Sequence, residues 1–296
     1  MIFMKSINAN EKNLTPRYAL IQAFFWMNFA TIMGYTSVYL LNCGFSNTQI
    51  GVLMAVAGVL SAILQPLVAS YADRPDSQSV KKIIIEIGTV MLVIAVLLLL
   101  FRNEMIMSGL LYGSSIMLLQ LLMPLINSLG MESLNQGRKL NFGMARGMGS
   151  VAYAIAAYIL GIIVAGWGEI TIPIAMLLIF CGLLFTLFLF PFEKSKTGNT
   201  KTEKQSGGPL YFFVKYKRFS FVLIGCIFLY ISHVLLNSFT YQIVESKGGG
   251  SSEMGFAMAL AAMLELPTLF LFGYMIKKVR ADIWFRISGI FFMVKT

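Results

Sequence analysis

A carboxylate in the middle of an apolar segment is the first candidate for chemistry in this sequence. Glu265 lies in AAMLELPTLF, with no basic residue within one helical turn to neutralise it. A charge at the centre of a membrane helix costs about 2.5–3.5 kcal/mol on insertion scales. Glu265 is therefore expected to exchange a proton at physiological pH while accepting hydrogen bonds from a bound molecule. A permanently protonated carboxyl group bonded to a neighbouring helix is the alternative.

Two further residues offer complementary chemistry. Arg146 opens the apolar run NFGMARGMGSVAYA, and Tyr153 follows seven residues later on the same helix face. A guanidinium presents a fixed fork of donors to a carboxylate or to paired sugar hydroxyls, and a tyrosine ring can stack on a sugar or an aromatic molecule. Near a helix end Arg146 can also extend to lipid headgroups, and Tyr153 can be an ordinary packing residue.

His233 and Asn237, four residues apart, form another polar pair. Membrane-bound acyltransferases often use a buried histidine with an asparagine, but the pair is too common to identify an enzyme, and His233 can equally be a hydrogen-bonded packing residue. The sequence contains no glycine-rich phosphate loop, His-Glu-x-x-His motif or nucleophile elbow, and its three cysteines lack metal-ligand spacing. We expect no enzymatic activity, no metal and no cofactor.

Membrane-spanning helices must position these residues. Of the 296 residues, 57% are apolar and only 12% charged, whereas a soluble domain has about a quarter charged. Apolar runs of roughly 20–25 residues exclude a water-soluble fold and predict eight full spans, with a ninth beginning near Trp284. The predicted spans are 18–41, 48–72, 83–101, 105–130, 147–166, 171–192, 219–243 and 254–276.

The basic residues indicate the orientation. Twenty of the 23 Lys and Arg precede span one or follow an even-numbered span, while only Arg102 and Lys247 lie in the intervening loops. Because basic loops stay in the cytoplasm, we expect a multi-pass plasma-membrane protein with a cytoplasmic N-terminus. The net charge of +10 is thus topological and does not indicate nucleic-acid binding.

An internal repeat crosses the long polar interval at 193–209. SNTQIG before span two resembles SSEMG before span eight, and spans one and seven carry polar residues with the same 3, 4, 4 spacing. These residues are Asn28, Thr31, Tyr35 and Tyr39 in span one and Tyr230, His233, Asn237 and Tyr241 in span seven. Two related halves with polar stripes are typical of a transporter with a central cavity, although chance similarity between membrane helices is the alternative.

The end of span two resembles a motif of the major facilitator superfamily. In ILQPLVASYADRPDSQSVKK, Asp73 and Arg74 match the acidic and basic loop that follows the second helix of that superfamily. The resemblance implies that Asp73, with Arg74 beside it, takes part in the conformational gate. Ala69 stands four residues before Asp73 where glycine is usual, and the loop's own glycine is missing.

Four segments resemble one branch of this superfamily, which includes lactose permease and related proton symporters of oligosaccharides, nucleosides and aromatic acids. The segments are IMG at 32–34, QPL at 65–67, FGMAR with GS at 142–150 and ELP at 265–267. By this likeness Arg146 binds the substrate, Tyr153 is the aromatic platform on which it stacks, and Glu265 is its acidic ligand.

The sequence departs from that branch around the arginine. Met144 stands where a basic residue is often found, and Asn127 and Ser128 occupy the region where lactose permease has a carboxylate that pairs with the arginine. These departures disfavour a galactoside and favour an anionic or less hydroxyl-rich solute.

The resemblance implies an all-α polytopic bundle of twelve helices, of which this chain would contain about eight and a half. The chain is accordingly interpreted as C-terminally truncated, and as a monomer when full length. The expected parts are a cytoplasmic arm at 1–17, a six-helix bundle at 18–192, a cytoplasmic linker at 193–216 and an incomplete C-terminal bundle at 217–296.

These features predict a secondary active transporter of a sugar, nucleoside or aromatic acid, coupled to protons through Glu265 and working by alternating access. Its partners would be the solute, a proton and the lipid bilayer. The expected substrate-binding residues are Asn28, Tyr35, Arg146, Tyr153, His233, Asn237 and Glu265. The alternatives are a truncated, non-transporting interaction protein derived from such a transporter and, more remotely, a membrane transferase that uses His233.

Overall fold

The computed structural model describes residues 13–74, 76–194 and 213–295. Within these ranges the chain is all-α and contains no β-strand, which confirms the predicted fold class. The helices are α1 Thr15–Phe29, α2 Thr36–Asn42, α3 Asn47–Ala72, α4 Val80–Leu100, α5 Met105–Asn135, α6 Phe142–Trp167, α7 Thr171–Leu189, α8 Lys217–Ser238, α9 Thr240–Glu245, α10 Ser251–Lys278 and α11 Ala281–Lys295. Most of the expected arm and linker, at 1–12 and 195–212, lies outside the described residues.

Six of the described helices, α3 to α8, are each long and apolar enough to cross a membrane. Predicted span one is built from α1, a π-helical turn at Ala30–Gly34 and α2. Span eight is α10, whose 28 residues reach about 42 Å at ~1.5 Å per residue, more than a hydrocarbon core requires. The chain is a multi-pass membrane protein.

Predicted span nine corresponds to α11, which begins earlier than its apolar run predicted. It starts at Ala281 rather than near Trp284, and its first turn includes Asp282. A carboxylate is favourable there because the N-terminus of a helix carries partial positive charge, and Asp282 also pairs with Arg280 at 3.1 Å.

Backbone geometry supports the internal repeat. Span one breaks at Tyr35 (φ −105°, ψ 15°) and span seven at Phe239 (φ −108°, ψ 18°), between α8 and α9. At the start of α3 the Ser46 N–H donates to Gln49 Oε1, and at the start of α10 the Gly250 N–H donates to Glu253 Oε2, both at 2.8 Å. The breaks and the helix starts are each 204 residues apart, which is also the separation of Gly51 and Gly255, whereas the polar stripes of spans one and seven are 202 residues apart. The backbone therefore matches the SNTQIG and SSEMG segments, but the two stripes are out of register with it by two residues.

Helix α6 is the centre of the packing because it contacts α1 on one side and α10 on another. Small residues allow the close crossing with α10. A Cβ added to Gly255 would lie 2.5 Å from the Ala157 carbonyl oxygen, and one added to Gly161 would lie 3.1 Å from the Gly255 Cα. The Tyr35 hydroxyl donates to the same Ala157 carbonyl at 2.6 Å, so span one is tied to this crossing.

We expect Gly161→Ala to destabilise the protein by about 1–3 kcal/mol, because the added methyl group meets backbone atoms that cannot move aside cheaply. The measurement is thermal unfolding in detergent. Gly166→Ala, in the same helix, is the matched control, since nothing lies within 4 Å of its added Cβ. Equal stability of the two variants would contradict the close crossing.

Candidate functional site

The charge of Arg146 is accommodated by an aromatic ring. Its guanidinium carbon lies 3.8 Å from the centroid of the Trp26 ring, and its Nη1 donates to Ser150 Oγ at 3.2 Å. Among the described residues Arg146 forms no salt bridge. Since a guanidinium over an indole face is attracted by the ring quadrupole, Trp26 takes the place that a carboxylate would otherwise fill.

Trp26 is itself held by a chain of hydrogen bonds from α1 to α5. Its Nε1 donates to Gln22 Oε1 at 3.1 Å, and Gln22 Nε2 donates to Tyr18 Oη at 2.8 Å and to Asn127 Oδ1 at 3.4 Å. The Tyr18 hydroxyl in turn donates to the Ile126 carbonyl at 3.0 Å. Gln22 and Tyr18 are buried, so water does not compete for these bonds and the indole is fixed in position.

The sequence of α6 makes room for this indole. Gly149 lies one turn after Arg146, and a Cβ at that position would lie 2.5 Å from Trp26 Cδ1. One further turn along, the Tyr153 ring meets the Trp26 ring edge to face, with centroids 6.5 Å apart and planes at 69°. Arg146, Gly149 and Tyr153 therefore present a single surface to α1, as their spacing predicts.

Glu265 approaches this surface from α10. Its exposed carboxylate lies within electrostatic range of the Arg146 guanidinium and of the Tyr153 hydroxyl. The fold thus brings together the three residues that the resemblance singled out, between α1, α6 and α10. Their arrangement combines a cation, two aromatic rings and a carboxylate.

Two other predicted site residues are fully buried in span one. Tyr35 is occupied by its hydrogen bond to Ala157, and Asn28 Nδ2 donates to the Phe24 carbonyl at 3.2 Å. Asn28 Oδ1 has no hydrogen-bond partner among the described residues. In this conformation both side chains lie within the helix packing, and their expected contact with a solute stays a prediction.

His233 and Asn237 are joined to each other on α8. His233 Nε2 and Asn237 Nδ2 lie 2.9 Å apart, and the imidazole centroid lies 5.6 Å from the centroids of both Tyr230 and Phe292. The ring contact with Phe292 links α8 to α11. These contacts join the pair to residues of α8 and α11, and its substrate-binding role stays a prediction.

Asp73 and Arg74 directly follow α3 and begin a loop that Lys194 holds by hydrogen bonds. The Lys194 ammonium donates to the Arg74 carbonyl, to the Ser77 carbonyl at 2.9 Å and to Ser77 Oγ at 2.7 Å. Both Asp73 and Lys194 act electrostatically on Glu132 of α5. The loop expected to gate the protein is therefore attached to the segment that follows α7.

Sequence reasoning missed Trp26 and Gln22. A signal for them existed, because the two lie four residues apart in an apolar span and thus on one helix face. The sequence presents Asn127 only as a replacement for a carboxylate, because its bond to Gln22 depends on how α1 packs against α5.

We expect Gly149→Ala to displace the Trp26 indole, because the added methyl group would overlap it. The measurement is Trp26 fluorescence in a background that carries Trp167→Phe and Trp284→Phe, the other two tryptophans of the chain. The emission maximum should move. Gly143→Ala is the matched control, since its added Cβ makes only an ordinary contact at 3.8 Å. An unchanged spectrum in Gly149→Ala would contradict the contact.

A family model described as the MFS_1 like family matches residues 17–294 of the chain. No curated protein and no solved structure matches the chain significantly. The match extends from the first turn of α1 almost to the end of α11, so it includes every residue of the Arg146 surface.

Proposed function

Because the chain belongs to the MFS_1 like family, which indicates a transporter rather than an enzyme, we propose that it is a proton-coupled secondary transporter of a small organic solute. The observation that carries this proposal is the packing of Tyr153 with both Trp26 of α1 and the cluster that contains Ala262, one turn before Glu265 in α10. Ionisable residues within a membrane are costly, and they mark solute and proton pathways.

The chemistry around Arg146 supports a solute that has both a ring and polar groups. The guanidinium edge supplies hydrogen-bond donors, and the Tyr153 ring supplies aromatic surface beside it. Sugars, nucleosides and aromatic acids share these two requirements. We therefore retain all three as substrate classes for the proposed transporter.

Glu265 is the proposed proton carrier. A charged Glu265 would balance Arg146 electrostatically across the site, whereas a protonated Glu265 could donate a hydrogen bond to the solute. Loading of solute together with a proton, followed by release of both, would couple transport to the proton gradient. No metal or other cofactor is required by this scheme.

Two hydrogen bonds between the halves support alternating access. Ser37 Oγ donates to the Ser238 carbonyl at 3.1 Å, and Gln242 Nε2 donates to Asn47 Oδ1 at 2.9 Å. Both lie at the bundle end opposite to the basic loops, the end that the charge distribution assigns to the outside of the plasma membrane. In the described conformation the bundle would thus be closed toward the outside of the membrane, and transport would require these contacts to separate.

The decisive experiment is uptake of radiolabelled sugars, nucleosides and aromatic acids by cells that express the chain, with and without a protonophore. We expect accumulation that the protonophore abolishes, and we expect Glu265→Gln to lose accumulation while retaining solute binding. Glu86→Gln is the matched control, since Glu86 is exposed and pairs with Lys82 at 4.0 Å. Unaltered proton-driven accumulation in Glu265→Gln would remove Glu265 from the mechanism.

The outward closure can be tested by cross-linking. A short thiol-reactive cross-linker between Asn47→Cys and Gln242→Cys, with the three native cysteines replaced, should stop transport because the joined residues must separate. Each single-cysteine variant treated in the same way is the control. Full transport by the cross-linked double variant would show that this contact does not open during the cycle.

A further inference from the structure

We propose that Trp26 is a positioning residue that holds the Arg146 guanidinium by its face, and that this arrangement selects a solute carrying a carboxylate. The inference rests on the proposed transport function and narrows its substrate class. It concerns the indole and its hydrogen-bonded support, Gln22, neither of which the sequence pattern singled out.

The geometry of a guanidinium determines which of its surfaces is free. All five N–H donors lie in one plane and point outward from its edge. In this protein the face is covered by Trp26 at 3.8 Å, and one edge donor is used by Ser150. The remaining donors have no hydrogen-bond partner among the described residues. A carboxylate matches two parallel N–H groups better than a single hydroxyl does.

The charge balance favours the same ligand. The polar groups that support Trp26, the amides of Gln22 and Asn127 and the hydroxyl of Tyr18, are uncharged. Glu265 of α10 and Tyr18 of α1 are the titratable groups that act electrostatically on Arg146. When Glu265 is protonated, the Arg146 charge is left without a counter-ion, and a bound carboxylate would supply one. Binding of an anion and of a proton would then reinforce each other.

Trp26 carries this selectivity because it cannot reorient freely. Its Nε1 is bonded to Gln22, and its ring fits against Gly149, where any side chain would overlap it. Loss of the indole would free Arg146 to turn toward Glu265 or the lipid headgroups, and its edge donors would then no longer be held ready for a ligand.

The experiment compares carboxylates with neutral partners of similar shape. Binding of nicotinate against nicotinamide, and of galacturonate against galactose, is measured by thermal stabilisation of the detergent-solubilised chain and by Trp26 fluorescence in the Trp167→Phe, Trp284→Phe background. We expect one carboxylate to bind roughly tenfold or more tightly than its neutral partner, because only the carboxylate pairs with the guanidinium edge.

Variants then separate positioning from packing. Trp26→Leu and Gln22→Leu should weaken carboxylate binding roughly threefold to thirtyfold while leaving the neutral partner's affinity unchanged. Trp26→Phe keeps a ring over the guanidinium, so its carboxylate affinity should lie between the affinities of these variants and of the parent. For these variants binding is measured by thermal stabilisation alone, in the chain that keeps Trp167 and Trp284, and Trp167→Leu is the matched control because Trp167 is 81% exposed. If Trp26→Leu does not fold, Gln22→Leu decides, since it leaves the ring in place.

Three outcomes would overturn the inference. Equal binding of both members of each pair would exclude selection of a carboxylate. If Trp26→Leu or Gln22→Leu lost equal affinity for the carboxylate and for its neutral partner, Trp26 would act only in packing. If neither carboxylate binds while the uptake assay finds a neutral solute, the carboxylate class is wrong and the transport function stands; if uptake also fails, both are wrong.

Discussion

The stacking of Arg146 on Trp26 is the interaction on which the rest of the site depends. A guanidinium inside a membrane protein needs compensation, and an indole provides it without neutralising the charge. The consequences extend through the fold. Gly149 must lack a side chain, Gln22 must accept from the indole N–H, and Tyr18 and Asn127 must complete the hydrogen bonding of Gln22. The position of one charged residue thus constrains which residue types can stand at these places in α1, α5 and α6.

Helix α6 packs against two neighbouring helices, α1 and α10, with different faces. One face presents Arg146, Gly149 and Tyr153 to α1, and another brings Ala157 and Gly161 against α10. Because packed helices move as rigid elements, a shift of α10 against α6 would also move Glu265 relative to Arg146. On the proposed mechanism, the interface between the halves and the solute site are therefore coupled through one helix, without any intervening residue pathway.

The sequence predicts the helices and part of the site, for reasons that are local. Apolar runs give the spans, and the seven-residue interval between Arg146 and Tyr153 places them on one face. Residue spacing does not reveal which neighbour a face meets. The stripe of Asn28 and Tyr35 was expected to line a cavity, yet both side chains are buried in the described conformation. Trp26 gained its role only through the packing of α1 against α5 and α6, which no local pattern encodes.

The π-helical turn at Ala30–Gly34 has a consequence for the register of span one. A π turn accommodates one residue more than an α-helical turn, which rotates everything after it by about 100° relative to a straight helix. Gln22 and Trp26 lie before it and face α5 and α6, whereas Ser37 lies after it and reaches α8. The extra residue therefore lets span one contact neighbouring helices on two different sides. A related chain that lacks this single residue would keep Gln22 and Trp26 against α5 and α6 and would turn Ser37 away from α8.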